Sequence, residues 1–275
     1  MEDFETAISA YYRLDPERDR LSTWGLLEAL RTTELLERYL PPAPAVVHDI
    51  GGARGAYALP LARNGYQVHL IDAWPPHVEA AAAASEQQPD APLSSTGVGD
   101  ARELPFEDDS ADAVLLFGPL YHLIERDDRV LALREAHRVL RPGGILLAAA
   151  VSRYASTFDG IRNGDISDPE FDAIVAGDVR DGVHRNVDPD KHPNWFTLTF
   201  FHRPAELHDE VADAGFDDVR LLAIESAGAY TTDAERLADD TYREAVLRAI
   251  RRIEAVPELL GTSPHIMAVA RTPAR

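Results

Sequence analysis

The 275-residue sequence lacks cysteine and contains a single lysine, Lys191. The absence of cysteine excludes disulfide bonds, thiolate metal sites and cysteine nucleophiles, and it suits a reducing compartment. No apolar run approaches the roughly 20 residues that a helix needs to span a bilayer. The N-terminus is acidic and polar, without the basic and apolar regions of a signal peptide. We therefore expect a cytoplasmic protein with no membrane partner.

Positive charge is also scarce. Lysine and arginine together number 27 against 47 acidic residues, which gives a formal net charge of -20. Because such a charge repels phosphate backbones, nucleic acid would need a strong local basic patch to bind. We expect no nucleic-acid partner, and the sequence leaves the oligomeric state open.

Short apolar runs alternate with helix-like segments between residues 45 and 151, and the alternation resumes near the C-terminus. Apolar runs bounded by glycine and proline are typical of parallel strands that are covered on both faces. The pattern predicts an α/β, Rossmann-like doubly wound sheet of seven mostly parallel strands. The predicted strands are 45–50, 66–72, 92–98, 111–118, 145–151, 217–226 and 264–271.

Two segments depart from this alternation. Residues 152–203 are rich in Asp, Gly, His and Asn, and we predict that they form a cap inserted between strands five and six, since long insertions often serve as lids or binding elements. Residues 1–40 are predicted to form an N-terminal helical lid, followed by one domain over 41–275. A long amphipathic helix is predicted over 231–256.

The stretch HDIGGARGAY, residues 48–57, connects the first predicted strand to a helix. Asp49, Gly51, Ala53 and Gly55 form the spacing D-x-G-x-A-x-G, which is not the dinucleotide fingerprint G-x-G-x-x-G. Glycines let the backbone approach a ligand closely, and the N–H groups that open a helix attract anions. Taken alone, the turn fits either a structural connection or a cofactor cradle.

Three further strand ends carry groups that one ligand would contact. Asp72 ends the second strand, where a carboxylate can accept both hydroxyls of a ribose or cap the helix near Pro75. Asp100 follows the third strand and could hold an exocyclic amine or occupy a turn. The fourth strand ends in the aromatic and glycine-containing segment 117–122. Together, in this order, these features favour a nucleoside cofactor.

Over about residues 40–151 these motifs, with REAHRVLRPGGILLAA, resemble those of the class I S-adenosylmethionine-dependent methyltransferases. The resemblance implies that the glycine turn meets the methionine part of S-adenosylmethionine, the second strand end its ribose and the G-D-A stretch its adenine. Ala53 stands where the family usually has a glycine, so we expect a negative φ or modest strain there, with a shifted loop or weaker cofactor affinity. The implied cofactor-binding residues are Asp49, Gly51, Gly52, Gly55, Asp72, Ala73, Asp100, Ala101, Phe117 and Gly118.

The implied reaction moves a methyl group to an oxygen, nitrogen or carbon atom of a small-molecule acceptor, for example in secondary metabolism. The protein mainly has to align the acceptor with the methyl carbon, and orientation of this kind can supply roughly 7 to 11 kcal/mol of a barrier. A general base is needed only when the acceptor loses a proton. Candidate catalytic residues are Tyr121, His122, Glu170 and His184, and candidate substrate-binding residues are Tyr11, Arg20, Tyr121, Arg153, His184, Arg185 and His202.

Other residues of these segments favour structural roles. His192 and His208 read as solvated loop side chains, and the histidine spacings match no compact metal site, so no bound metal is predicted. Asp168 is predicted to cap a helix, and Arg31 either belongs to the lid or pairs with Glu28 at the surface.

Three alternatives stay open. The first is a C-methyltransferase acting on an anionic prenyl diphosphate with Mg²⁺, in which Glu170 takes the proton. The second is an NAD-dependent oxidoreductase, although the glycine spacing is wrong for it. The third is a cofactor-binding regulator without catalysis, against which the long insertion argues.

Overall fold

The computed structural model describes residues 11–12, 19–186, 188, 191–193 and 195–274, so residues 1–10 and 13–18 of the predicted N-terminal helical lid lie outside the described residues. By its contacts the chain divides into two compact units, each built from three separate stretches. What we call the insertion unit comprises the described residues of Met1–Glu34, Ala150–Glu206 and Leu221–Ile266. The sheet unit comprises those of Leu35–Ala149, Leu207–Arg220 and Met267–Arg275.

Seven strands form one mostly parallel sheet in the order β3-β2-β1-β4-β5-β9-β8, which confirms the predicted fold. The pairings of β1 with β2 and β4, of β2 with β3 and of β4 with β5 are parallel. Strands β6 and β7 form a separate antiparallel pair. The strands are β1 Val46–Ile50, β2 Gln67–Asp72, β3 Ser95–Val98, β4 Ala111–Leu116, β5 Leu140–Val151, β6 Val183–His184, β7 Thr199–Phe200, β8 Asp217–Ala223 and β9 His265–Arg271.

The central strands are apolar on both faces because helices cover a parallel sheet from both sides. Four of the five residues of β1 and five of the six of β4 are buried. In the register, Ile50 lies opposite Ile71 of β2 and Leu116 of β4, so these three strands end at the same edge of the sheet. This shared edge is where the sequence places the cofactor-binding residues.

Ten α-helices are described, together with short 3₁₀ helices at Arg20–Ser22, Asp165–Ser167, Ser226–Tyr230 and Pro257–Thr262. Within the described part of the chain, none of the helices is long and apolar enough to cross a bilayer. The helices are α1 Leu26–Tyr39, α2 Ala58–Arg63, α3 Pro75–Glu86, α4 Pro119–His122, α5 Arg126–Val139, α6 Ala155–Asn163, α7 Pro169–Asp181, α8 Pro204–Asp213, α9 Ala234–Leu237 and α10 Asp240–Arg251.

Several element boundaries differ from the prediction, and two of the differences change the type or number of elements. The helix predicted over 231–256 is two helices, because the Asp239 side chain accepts a hydrogen bond from the Tyr242 N–H and starts α10. Strand β5 begins at Leu140, five residues earlier than predicted. Its first residues were predicted as a helix end, but Gly143 donates to the Thr272 carbonyl and keeps them extended in the sheet.

Candidate functional site

The turn after β1 has room for very little besides backbone. Gly51 adopts a φ of 73°, and a Cβ there would lie 2.6 Å from Cδ of Pro119. A Cβ on Gly52 would lie 2.7 Å from Oδ2 of Asp49. Gly55 also has a positive φ, 83°. Close packing at Gly51 and Gly52 and the positive φ of Gly51 and Gly55 therefore require glycine in this turn.

Of the two expectations for Ala53, a negative φ or a strained backbone, the structure shows the strained backbone. Its φ is 47°, in the left-handed region that glycine adopts more easily. Its N–H donates to Oδ2 of Asp72 over 2.9 Å. This bond ties the glycine turn to the end of β2 and accounts for the conformation of Ala53.

Asp72 is 8% exposed and serves several donors at once. Its Oδ1 accepts from the Trp74 N–H at 2.8 Å and lies 3.3 Å from Nδ1 of His77. Its Oδ2 accepts from Ala53 alone among the contacts described, so this oxygen keeps capacity for a further donor. Asp72 therefore fixes the turn before α3 but does not cap the helix, whose N-cap residue is Trp74, and it also offers an oriented acceptor.

Asp49 is a buried acid on a central strand. It is 1% exposed, and Oδ2 has no hydrogen-bond partner among the described residues. Burial and the neighbouring charge of Asp72 raise the pKa of Asp49 to about 7. The residues in register with it are Leu70 on β2 and Leu115 on β4, which supply no donor side chain.

The end of β3 is held by an ion pair. Asp100 accepts from the Arg102 side chain, with Nη2 at 2.6 Å, and from the Arg102 N–H at 2.8 Å. The side-chain bond to Arg102 lowers the pKa of Asp100. Ala101 is buried, and Ala73, after β2, is exposed. An adenine amine at this position would share the Asp100 carboxylate with Arg102.

The segment 117–122, which follows β4, carries aromatic side chains. The Tyr121 hydroxyl donates to the Phe117 carbonyl at 3.0 Å, and the Phe117 ring meets Tyr57 edge to face at 5.5 Å. Gly118 packs on the glycine turn, since a Cβ there would lie 3.2 Å from the Gly51 carbonyl. Burial lowers the pKa of His122 to about 4 despite the opposing charge of Asp72, so its imidazole is neutral near pH 7.

The insertion unit holds the other candidates. His184 is 2% exposed, with Nδ1 3.0 Å from Oδ2 of Asp178 and Nε2 2.6 Å from the Trp195 carbonyl. Its ring stacks on Phe201. Both ring nitrogens are used within the insertion unit, which is the arrangement of a structural histidine.

Arg153 and His202 are also buried in this unit. Nε of Arg153 donates to the Phe201 carbonyl at 2.7 Å, and Nη2 to Glu206 at 2.6 Å. The His202 ring lies edge-on to Phe200 at 4.7 Å. These contacts join Arg153 to the end of β7 and the start of α8, and they place His202 against β7.

Glu170 and Arg185 lie at the surface of the insertion unit. The Glu170 side chain is 50% exposed, with Lys191 at 2.8 Å and His192 at 3.3 Å. Arg185 is exposed and pairs with Asp181 at 3.6 Å. Asp168 caps α7 by accepting from the Glu170 N–H, as predicted.

The N-terminal candidates also have partners. The Tyr11 ring lies edge-on to Phe196 at 5.3 Å, and Arg20 pairs with Glu28. Arg31 is fully buried rather than at the surface, which corrects its predicted pairing. It donates to the Ile224 carbonyl at 3.0 Å and pairs with Glu34 and Glu254.

Two polar clusters escaped the sequence prediction. One is His77, which lies against Asp72, five residues after the strand end. The other lies in the insertion unit, where Glu28, Glu225 and His265 bring ligand atoms within 4.8 Å of one another. Burial opposes a charged His265, but Glu225 and Glu28 raise its pKa to about 9. With Arg20 on Glu28 the charges balance, so we assign an ion-pair network rather than a metal site.

Comparison with known proteins places the strand ends within a matched region. Residues 48–148 match the family model described as a methyltransferase domain. An uncharacterized methyltransferase of Mycobacterium tuberculosis is 34% identical over 113 residues, 41% of this chain and 42% of the relative. The mitochondrial 2-methoxy-6-polyprenyl-1,4-benzoquinol methylase of Rattus norvegicus is 33% identical over 134 residues, 47% of this chain and 37% of the relative. The chain thus matches less than half the length of each of these curated relatives.

The fold likeness extends further along the chain. A crystal structure described as a SAM-dependent methyltransferase from Methanosarcina mazei superposes with a TM-score of 0.58 at 19% identity. The superposition covers 88% of this chain and 98% of the other.

Proposed function

We propose that this chain, which belongs to the class I S-adenosylmethionine-dependent methyltransferase family, binds S-adenosylmethionine at the strand ends of its sheet unit and methylates a small-molecule acceptor. The observation that carries the proposal is the placement of Asp72. Its carboxylate is fixed by the Ala53 and Trp74 N–H groups, stands beside the glycine turn and has an acceptor position left on Oδ2.

The residues of the sheet unit fit this cofactor in chemical type. Asp72 would accept the ribose hydroxyls, and the backbone of Gly51, Gly52 and Gly55 would face the methionine part. The bound cofactor would supply a methyl group that is already activated by the positive sulfur. The chain has to orient the acceptor and exclude water, a contribution of roughly 7 to 11 kcal/mol.

Tyr121 and His122 are the acceptor-side candidates that belong to the sheet unit. They follow Phe117 and Gly118 at the exit of β4, and their rings lie 4.7 Å apart. Because its imidazole is neutral near pH 7, His122 has the protonation state that a proton acceptor needs. We propose that these two side chains line the acceptor position.

A small acceptor is supported by one relative, which is named for methylation of a benzoquinol. The prenyl diphosphate alternative is less favoured, since it requires Glu170, whose exposed carboxylate pairs with Lys191. An NAD-dependent oxidoreductase is disfavoured by the D-x-G-x-A-x-G spacing of the turn.

The test is a methyl-transfer assay with methyl-labelled S-adenosylmethionine and a panel of small phenols, amines and carbon acids. We expect S-adenosylhomocysteine to form only with a matching acceptor. His122→Gln should lower turnover, whereas His208→Gln, an exposed histidine paired with Asp209, should leave it unchanged. Binding of S-adenosylmethionine without transfer to any acceptor would favour a regulator, and binding of NAD instead would refute the proposal.

A further inference from the structure

The Asp49 carboxylate is buried in an unusual way for a charged group. Oδ2 has no hydrogen-bond partner among the described residues, and the side chain is almost inaccessible to solvent. The backbone of Gly52 lies close to this carboxylate. A Cβ on Gly52 would be 2.7 Å from Oδ2 of Asp49 and 2.9 Å from Cδ1 of Leu70. An ionised carboxylate without donors in such surroundings is costly.

The groups around Asp49 add negative charge rather than cancel it. From β2 comes Asp72, whose charge disfavours ionisation of Asp49, and from β4 comes the apolar Leu115. Asp72 in turn has His77 of α3 against it and lies near His122 of α4, which is neutral near pH 7. Two neighbouring carboxylates in a buried site rarely ionise together.

We propose that Asp49 carries a proton before the cofactor binds and releases it to solvent when the cationic sulfonium compound binds, so that the site recognises the positive charge of the cofactor. This inference rests on the proposed function. S-adenosylmethionine carries one more positive charge than S-adenosylhomocysteine, the neutral thioether that transfer leaves behind. An ionised Asp49 would therefore stabilise the cofactor more than the product.

The sign of the pH dependence follows from proton release. If binding expels a proton, affinity rises with pH while Asp49 is still protonated in the free protein and levels off above its pKa of about 7. The rise is at most about tenfold for each pH unit. It should be smaller for S-adenosylhomocysteine, because the thioether offers the carboxylate no sulfonium.

The experiment is calorimetric titration of the full chain with S-adenosylmethionine and with S-adenosylhomocysteine at about pH 6, 7 and 8. Each titration is run in two buffers of different ionisation enthalpy, which counts the protons released. For the wild type we expect roughly half a proton or more released near pH 6.5 with S-adenosylmethionine, and an affinity ratio over S-adenosylhomocysteine that grows roughly tenfold towards pH 8.

Two variants test whether Asp49 is the group that releases the proton. Asp49→Asn keeps the size of the side chain and stays neutral, so proton release should vanish and the affinity ratio should become independent of pH. Asp90→Asn removes the same charge from an exposed loop position and should behave as the wild type. A carboxyl NMR titration of the unliganded protein should show a resonance that titrates near pH 7 and is missing in Asp49→Asn.

The outcomes separate the two proposals. Tight binding of S-adenosylmethionine without proton release, or an Asp49 that titrates near pH 4, would overturn this inference and leave the proposed function standing. No binding of S-adenosylmethionine at any pH would refute the proposed function itself. Should Asp49→Asn fail to fold, the wild-type proton count and NMR titration still decide.

Discussion

The sheet unit and the insertion unit both bury pairs of carboxylates, but they balance the charge differently. In the sheet unit, Asp49 and Asp72 are neighbours, and burial raises the pKa of Asp49 to about 7. In the insertion unit, Glu28 pairs with Arg20, and Glu225 lies 2.6 Å from His265. There, burial opposes ionisation of Glu28, but Arg20 and His265 prevail and lower its pKa.

A buried charge can therefore have a structural or a functional cause. A carboxylate that has its cation nearby, as in the insertion unit, is accounted for by stability alone. A carboxylate without a donor or a cation raises the free energy of the unliganded protein, and such groups cluster where a ligand is bound. The imbalance at Asp49 therefore indicates function more strongly than the larger network around His265.

A change of Asp72 should have the largest effect on cofactor binding by the sheet unit. In Asp72→Asn the oriented carboxylate is lost, and charge-assisted hydrogen bonds are worth roughly 1.5 to 3 kcal/mol each. We expect the affinity for S-adenosylmethionine to fall about 100-fold or more in a calorimetric titration. Asp90→Asn serves as the matched control, and an unchanged affinity of Asp72→Asn would remove the basis of the cofactor site.

The next effect is on the pH dependence of folding stability, through Asp49 of β1. Because the folded protein holds a proton on Asp49 more tightly than the unfolded chain, Asp49 lowers stability as pH rises from about 4 to about 7. Asp49→Asn should remove this loss and raise the free energy of unfolding at pH 8 by on the order of 4 kcal/mol at most, with little gain near pH 4. Urea unfolding at the two pH values measures this, and equal effects at both would contradict a raised pKa.

The insertion unit should respond to pH through His265, by a smaller amount. Its folded-state pKa of about 9 exceeds the usual 6.5, so its stabilisation is complete below about pH 6.5 and is lost as pH rises through 9. We expect the wild type to lose about 2 kcal/mol between pH 7 and pH 9.5, after allowance for partial exposure. His265→Gln should show a flatter profile than His208→Gln, and parallel profiles would rule out the network.

The smallest expected effect comes from relieving the backbone strain of Ala53, whose N–H joins the glycine turn to Asp72. Ala53→Gly removes the strain of a φ of 47° while keeping the N–H that bonds to Asp72. We expect a gain of up to about 1 kcal/mol, reduced by the greater freedom of glycine in the unfolded chain. Thermal unfolding measures the change, and a clear loss of stability would show that Ala53 is not strained.

The sequence predicted the elements whose signals are local. The seven strands were readable because strands covered on both faces need apolar runs, as in Ala111–Leu116. The positions of the acidic residues at the strand ends could be predicted because Asp49 and Asp72 lie at the ends of apolar runs. The glycine turn was readable from Gly51 and Gly55, both of which have a positive φ.

What the sequence could not supply depends on partners far away along the chain. The local pattern of Arg31 predicts a place in the lid or at the surface, yet two of its three partners lie 193 and 223 residues away along the chain and the side chain is buried. His184 looked like an acceptor-site residue within a histidine-rich segment, but Asp178 and Trp195 occupy both of its nitrogens. The acceptor itself leaves little trace, since orientation places no fixed demand on residue type.

The most direct test of the central claim is a crystal structure of the protein with S-adenosylhomocysteine bound. We expect ribose hydroxyls within about 3.2 Å of the Asp72 carboxylate, with the amino-acid part lying against the backbone of Gly51 to Gly55. A nucleoside bound elsewhere on the chain, or strand ends that side chains fill completely, would contradict it.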